Sequence, residues 1–317
     1  MSGQQSEFGY YPRPLDITVG PVSIATRDGL DDMVKSVNED EWREGKWIYS
    51  PFREVSHLGG GLNTRPYPAR VFSLPKTHDI THATAPDLDQ VNFHVWSLSF
   101  FKGMRFTITE AGFLDSTPVE PDVLVDFLLL GGSLEKSIEL AEAFWLDNLA
   151  MPERARIWVA AVHALFLSQN PQHLQFERFL YLYTALDACF ALAKSLNPPA
   201  RNLSHGQRIA WMCDWLGVPV PAWADPAAAG GVEVAAMRNP MIHEGLYMGE
   251  PLGFALHGVG GGPNLTLEMS GLVSRLLVAL LGARNNRYIT SSTGTRQRQG
   301  LDLDRKSTRL NSSHLVI

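Results

Sequence analysis

The chain has 317 residues, 45% of them apolar and 19% charged, with 27 Lys and Arg against 33 Asp and Glu. That composition excludes a mainly disordered chain, a collagen-like repeat and a small disulfide scaffold, and a chain this long can bury roughly three quarters of its surface. The net charge of −6 also excludes a general nucleic-acid coat, which needs excess positive charge, though one local basic pocket would still suffice for RNA.

The N-terminus MSGQQSEFGYYPRP has no apolar targeting run. Residues 1–86 are rich in Gly, Pro and aromatics and are expected to form a smaller irregular or mixed α/β accessory region. Ile17–Val19, Trp47–Tyr49 and Arg70–Leu74 suit strands or extended segments, and Asp31–Trp42 a short helix. Gly59-Gly60-Gly61 lacks the Lys-Ser/Thr of a phosphate loop and reads as a turn. His78 and His82 have the i, i+4 spacing of a two-His metal face, but no Glu accompanies them as in a zinc-protease helix.

From residue 87 the pattern turns helical, which predicts a mainly α fold, a helical bundle over 87–290. Val91, Val95 and Leu98 recur at helical spacing and predict a helix over 87–103. Residues 122–149 read as one helix, or two broken at Gly131-Gly132. Pro152 suits the first turn of a helix over 152–169. Helices are expected over 172–196, over 204–216 (stopped by Gly217), over 232–244 and over 264–286. His94 and His163 lie in helical runs as packed or solvated groups. Cys189 and Cys213 read as small buried hydrophobes, consistent with a reducing, cytoplasmic setting. The apolar stretch 272–281 is interrupted by Arg275 and is too short to span a bilayer, so no membrane association is expected.

Residues 291–303 read as a flexible tail. Residues 304–317, DRKSTRLNSSHLVI, resemble a translated sequencing adapter and are set aside from fold reasoning. Without Asp304, Arg305, Lys306 and Arg309 the balance is 24 basic to 32 acidic residues, or −8.

Chemistry concentrates in Met237-Arg238-Asn239-Pro240-Met241-Ile242-His243-Glu244-Gly245. Asn239 and His243 share a helix face. Pro240 either kinks the helix or makes Asn239 the cap of a new turn, and both swing Arg238 toward His243. An imidazole shuttles protons near neutral pH, and a guanidinium holds a phosphodiester with two donors. RNA brings its own 2′-OH nucleophile, so no metal or other cofactor is required. Upstream, Phe176, Phe179, Leu180, Tyr183, Leu186 and Phe190 form an apolar stripe with Asp187 beside it. A carboxylate there needs a partner, and Arg238 is the expected one.

The motif RN-x3-H-E-G, together with FERFLYLYTALDACFAL at 176–192, resembles the HEPN superfamily, most closely its Apea-like group, over roughly 120–290. The resemblance implies a HEPN-like helical bundle and a metal-independent endoribonuclease. Arg238 and His243 would be catalytic, Asn239 would position the phosphate, and Asp187 and Glu244 would support them. It also implies RNA as substrate, a homodimer that brings two motifs into one cleft, and an antitoxin or regulatory protein as a further partner, in defence or stress response. The competing expectation is a non-catalytic HEPN module for dimerisation or ligand sensing. If RNA binds, Arg201, Arg208 and Arg275 are expected to line its groove.

Overall fold

The computed structural model describes residues 3–56, 58–68, 71–227, 234, 265–294 and 298–303. In chain order the elements are β1 (Gln4–Gly9), β2 (Ile17–Val19), β3 (Val22–Thr26), α1 (Leu30–Asn38), β4 (Arg43–Glu44), β5 (Trp47–Ile48), β6 (Phe52–Ser56), β7 (Leu62–Pro68), β8 (His78–His82) and α2 (Leu88–Lys102). There follow β9 (Thr107–Ile108), β10 (Thr117–Pro118), β11 (Phe127–Leu129), α3 (Ser133–Asp147), α4 (Glu153–Ser168), α5 (Gln175–Leu196), α6 (His205–Leu216), α7 (Leu265–Leu280) and β12 (Gln299–Leu301).

The expectation of a mainly α protein is corrected. Seven α-helices stand beside twelve strands among the described residues, so the fold mixes helix and sheet. Most strands are two to five residues long; β2–β3, β4–β5 and β6–β7 pair as local hairpins, while β1, β8, β9, β10, β11 and β12 find partners far along the chain. The largest sheet runs β2-β3-β8-β1-β9, antiparallel throughout. Its middle strand β8 alternates buried His78, Ile80 and His82 with less buried Asp79 and Thr81, the period of two that a half-covered strand requires.

Two apolar cores result. One joins this sheet to α1 and one side of α2 through Phe8, Val22, Ile24, Ile80, Val91, Val95 and Leu98. The other is helical and gathers Phe93, Phe100, Trp158, Phe179, Leu186, Leu272 and Leu276. α2 therefore feeds both cores from opposite faces, which explains why it is apolar nearly all round. Its start is fixed by the Asp87 carboxylate, which accepts from the Asp89 and Gln90 amides. Its end is fixed by Gly103 in the left-handed conformation (φ 59°), where a Cβ would also meet the Asp122 backbone.

The helical half follows the sequence more closely. α4, α5 and α6 fall within the expected spans, Glu177 takes the Leu174 amide at the head of α5 (2.7 Å), and Gly217 closes α6. α5 is long and apolar enough to cross a membrane by length and composition alone. Its buried face, including Phe179, Leu182, Leu186, Cys189 and Leu192, packs in the helical core. The predicted helix over 122–149 differs: Phe127–Leu129 form β11, paired in parallel with β12, and α3 begins only at Ser133. β12 also draws part of the expected flexible tail into the fold.

Candidate functional site

Arg238, Asn239, His243 and Glu244 lie outside the described residues, as does the predicted helix over 232–244 except for Val234. Val234 is buried in the helical core. The ends of the chain around that segment are held on α7: the Trp223 indole donates to Glu268 (3.0 Å), and the Thr266 hydroxyl donates to Gln175 at the head of α5 (3.1 Å).

Asp187 sits where its spacing put it, beside the buried stripe of α5, but its observed cation is Arg208 of α6 (Nη1 to Oδ1 3.0 Å). The same Nη1 lies 3.1 Å from His205 Nδ1, and the Tyr183 hydroxyl lies 2.6 Å from that nitrogen. The Arg208 guanidinium rests over the Phe190 ring, 4.8 Å from its centre. The α5–α6 seam thus collects a carboxylate, a guanidinium, an imidazole and a phenol. Arg201, Gln207, Trp211 and Asp214 line an adjoining depression of about 360 Å³.

Arg275 does not line that groove. It is 1% exposed, enclosed between α7, Asp126 and the Tyr288–Ser292 segment. Its guanidinium donates to Asp126 Oδ2 (2.7 Å), to the Gly271 carbonyl (2.7 Å) and to Ser291 (2.9 and 3.1 Å), and it lies over the Tyr288 ring. Asp126 also accepts from the Tyr288 hydroxyl. Cys189 and Cys213 are buried free thiols, pushed up to about 12 by burial, a range in which neither is a nucleophile at neutral pH.

The histidines are distributed differently from the i, i+4 expectation. Four residues along a strand span about 13 Å, against about 6 Å along a helix, so His78 and His82 at the two ends of β8 serve separate places. His78 packs among Phe8, Tyr11 and Thr77, and burial pushes it down to about 4. His82 instead meets His94 and Gln90 of α2 and Glu142 of α3. Glu142 Oε2 lies 3.0 Å from the Nε2 atoms of His82, His94 and Gln90 alike. His82, Gln90 and His94 are at most 3% exposed, and the Glu142 side chain is 15% exposed. Burial pushes the Glu142 carboxyl up, but the three nitrogens outweigh it and hold the group down to about 2. Burial likewise depresses His94 against the pull of Glu142. Among the described residues this is the group whose atoms are placed to hold a metal ion. Sequence reasoning missed it because Glu142 lies 60 residues from His82 and 48 from His94. The only local signal was the shared helix face of Gln90 and His94.

No family model, curated protein or solved structure matches the chain.

Proposed function

We propose that the chain is a HEPN-like endoribonuclease that cleaves RNA by attack of the 2′-OH, without metal at the reacting phosphate. The observation that carries this reading is Arg238-Asn239-x3-His243-Glu244-Gly245, placed in the chain between α6 and α7, with Val234 four residues before it in the helical core. His243 takes the 2′-OH proton or supplies one to the leaving 5′ oxygen. Arg238 offsets charge on the phosphorane-like state, and Asn239 positions the phosphate. The products are a 2′,3′-cyclic phosphate and a 5′-hydroxyl. Asp187 supports this site through Arg208, which with Arg201 supplies positive charge near the α5–α6 seam of an otherwise acidic chain. A homodimer, a cytoplasmic setting and control by an antitoxin-like protein belong to the same proposal.

The test is incubation of the purified chain with end-labelled RNA in EDTA. Cleavage with a cyclic-phosphate end is expected from the wild type and not from His243→Ala. Cleavage that persists in His243→Ala overturns the assignment. A second reading, a non-catalytic helical module, is favoured by the Asp187–Arg208 pair, since a carboxylate already matched to a neighbouring helix has a sufficient structural role. Absence of cleavage by the wild type, with the chain folded, selects it.

A further inference from the structure

We propose that His82, His94 and Glu142 form a binding site for one first-row divalent transition-metal ion of the zinc type, with Gln90 as a fourth contributor, at the junction of β8, α2 and α3. The site is independent of the ribonuclease reading and shares no residue with it.

The argument starts from the number of donors. Without a cation, one carboxylate oxygen collects three nitrogens at 3.0 Å. Two of those nitrogens, His82 Nε2 and Gln90 Nε2, lie only 2.9 Å apart. Hydrogen bonds do not resolve this arrangement well. The Thr84 amide approaches His82 Nδ1 at 3.3 Å, which makes Nδ1 the acceptor and puts the proton on Nε2. Nε2 then faces the Gln90 NH2 as donor against donor. Turning the Gln90 amide over relieves that contact but sets its oxygen against the Glu142 oxygen. Buried polar groups normally settle into satisfied networks, and this one has a competing pair in either amide orientation.

A divalent ion removes the conflict at Nε2 and displaces only the long 3.3 Å approach of the Thr84 amide, because the proton then sits on Nδ1. Ligand atoms about 2.1 Å from one ion lie about 3.0–3.4 Å from each other at angles between 90° and tetrahedral. The 3.0 Å separations from Glu142 Oε2 are at the short end of that range, and the 2.9 Å between His82 and Gln90 lies just below it. The imidazoles then present lone pairs to the ion. The carboxylate supplies charge, and the Gln90 amide, turned over, presents its oxygen. Two imidazoles and a carboxylate suit zinc, iron(II) or manganese(II) rather than calcium or magnesium, which take oxygen ligands. The ligands come from three packed elements, with Gln90 and His94 on one face of a capped helix, so the set is held rigidly before any ion enters. Glu142, the most exposed member, marks the side of entry.

The metal-free and metal-bound states demand opposite tautomers of His82, because an ion on Nε2 requires the proton on Nδ1. That gives a readout separate from affinity. The full chain, stripped with EDTA and dialysed, is titrated with Zn2+ by calorimetry and with Co2+ by visible absorption. One equivalent is expected to bind. His94→Gln and Glu142→Gln are each expected to weaken binding by roughly tenfold or more, while His163→Gln leaves it unchanged. Nitrogen NMR of histidine-labelled wild type is expected to show the His82 proton move from Nε2 to Nδ1 on zinc addition, which decides the matter even if a variant fails to fold. Failure of the wild type to take up a stoichiometric ion overturns the proposal. So does uptake undiminished by both ligand variants, or a His82 tautomer that zinc leaves unchanged.

Discussion

Two half-buried carboxylates, one in each half of the molecule, show how differently a fold can use the same group. In the helical half Asp126 meets Arg275 and Tyr288, and the guanidinium's donors go to a carboxylate, three carbonyls and the Ser291 hydroxyl. Donors and acceptors match, and the arrangement needs nothing more. Where the sheet meets the helices, Glu142 meets three nitrogens, two of which face one another. A matched network is a structural staple, whereas a network with competing donors is poised for a ligand. The halves also differ in how they respond to acid. The sheet side buries the His78 imidazole, and burial pushes it down to about 4, so acid has to force a proton onto a group that the fold keeps neutral.

The largest expected effect comes from breaking the matched network. Arg275→Ala leaves Asp126 without its cation and opens a cavity in the helical core. Breaking a buried pair on one side costs about 3–5 kcal/mol. Urea unfolding should therefore show a much lower midpoint, if the variant accumulates folded at all. Arg275→Lys should recover little, because an ammonium cannot reach Asp126, Gly271 and Ser291 together. A small effect for Arg275→Ala would mean that the buried pair is not the staple the comparison takes it to be.

Acid should act on the other half. His78 is fully buried, and its pKa falls from the ordinary value near 6.5 to about 4. Between those values the unfolded chain binds a proton that the folded chain refuses. The stability His78 contributes is thus complete above about pH 6.5 and is lost as pH falls toward 4, by about 3 kcal/mol in total. Unfolding midpoints measured between pH 7 and pH 4.5 should fall steeply in the wild type and more gently in His78→Gln. Equal slopes in the two proteins would remove His78 as the cause.

How much of this was legible in the sequence depended on the distance over which each signal acts. The long helices were legible because apolar spacing, Pro152 and Gly217 are all local. The sheet was not. β11 looks helical until β12, some 170 residues on, pairs with it. His78 and His82 share a face in a helix and in a strand alike, but only in a helix are they neighbours. The spacing therefore suggested a pair where the strand made two separate sites. Glu142 carried no local mark at all. Asp187 was placed correctly by its position beside the α5 stripe. Among the described residues the cation it meets is Arg208 on the next helix, while the expected Arg238 lies outside them.

That pair yields the smallest effect, and it separates structure from catalysis. Arg208 and Asp187 are partly solvated, with side chains 25% and 42% exposed. Solvent screens such a pair, so its coupling should be below ~1 kcal/mol. A double-mutant cycle of Asp187→Asn and Arg208→Gln, read by urea unfolding, measures the coupling directly. A purely structural pair predicts that Asp187→Asn shifts the midpoint slightly and leaves the rate of RNA cleavage unchanged. If Asp187 orients the site through Arg208, the cleavage rate should fall in Asp187→Asn while the midpoint barely moves, and Arg208→Gln should lower it no further in the Asp187→Asn background. Additive losses in rate would instead mean that the two side chains act on RNA separately, Arg208 through the phosphates and Asp187 through the fold.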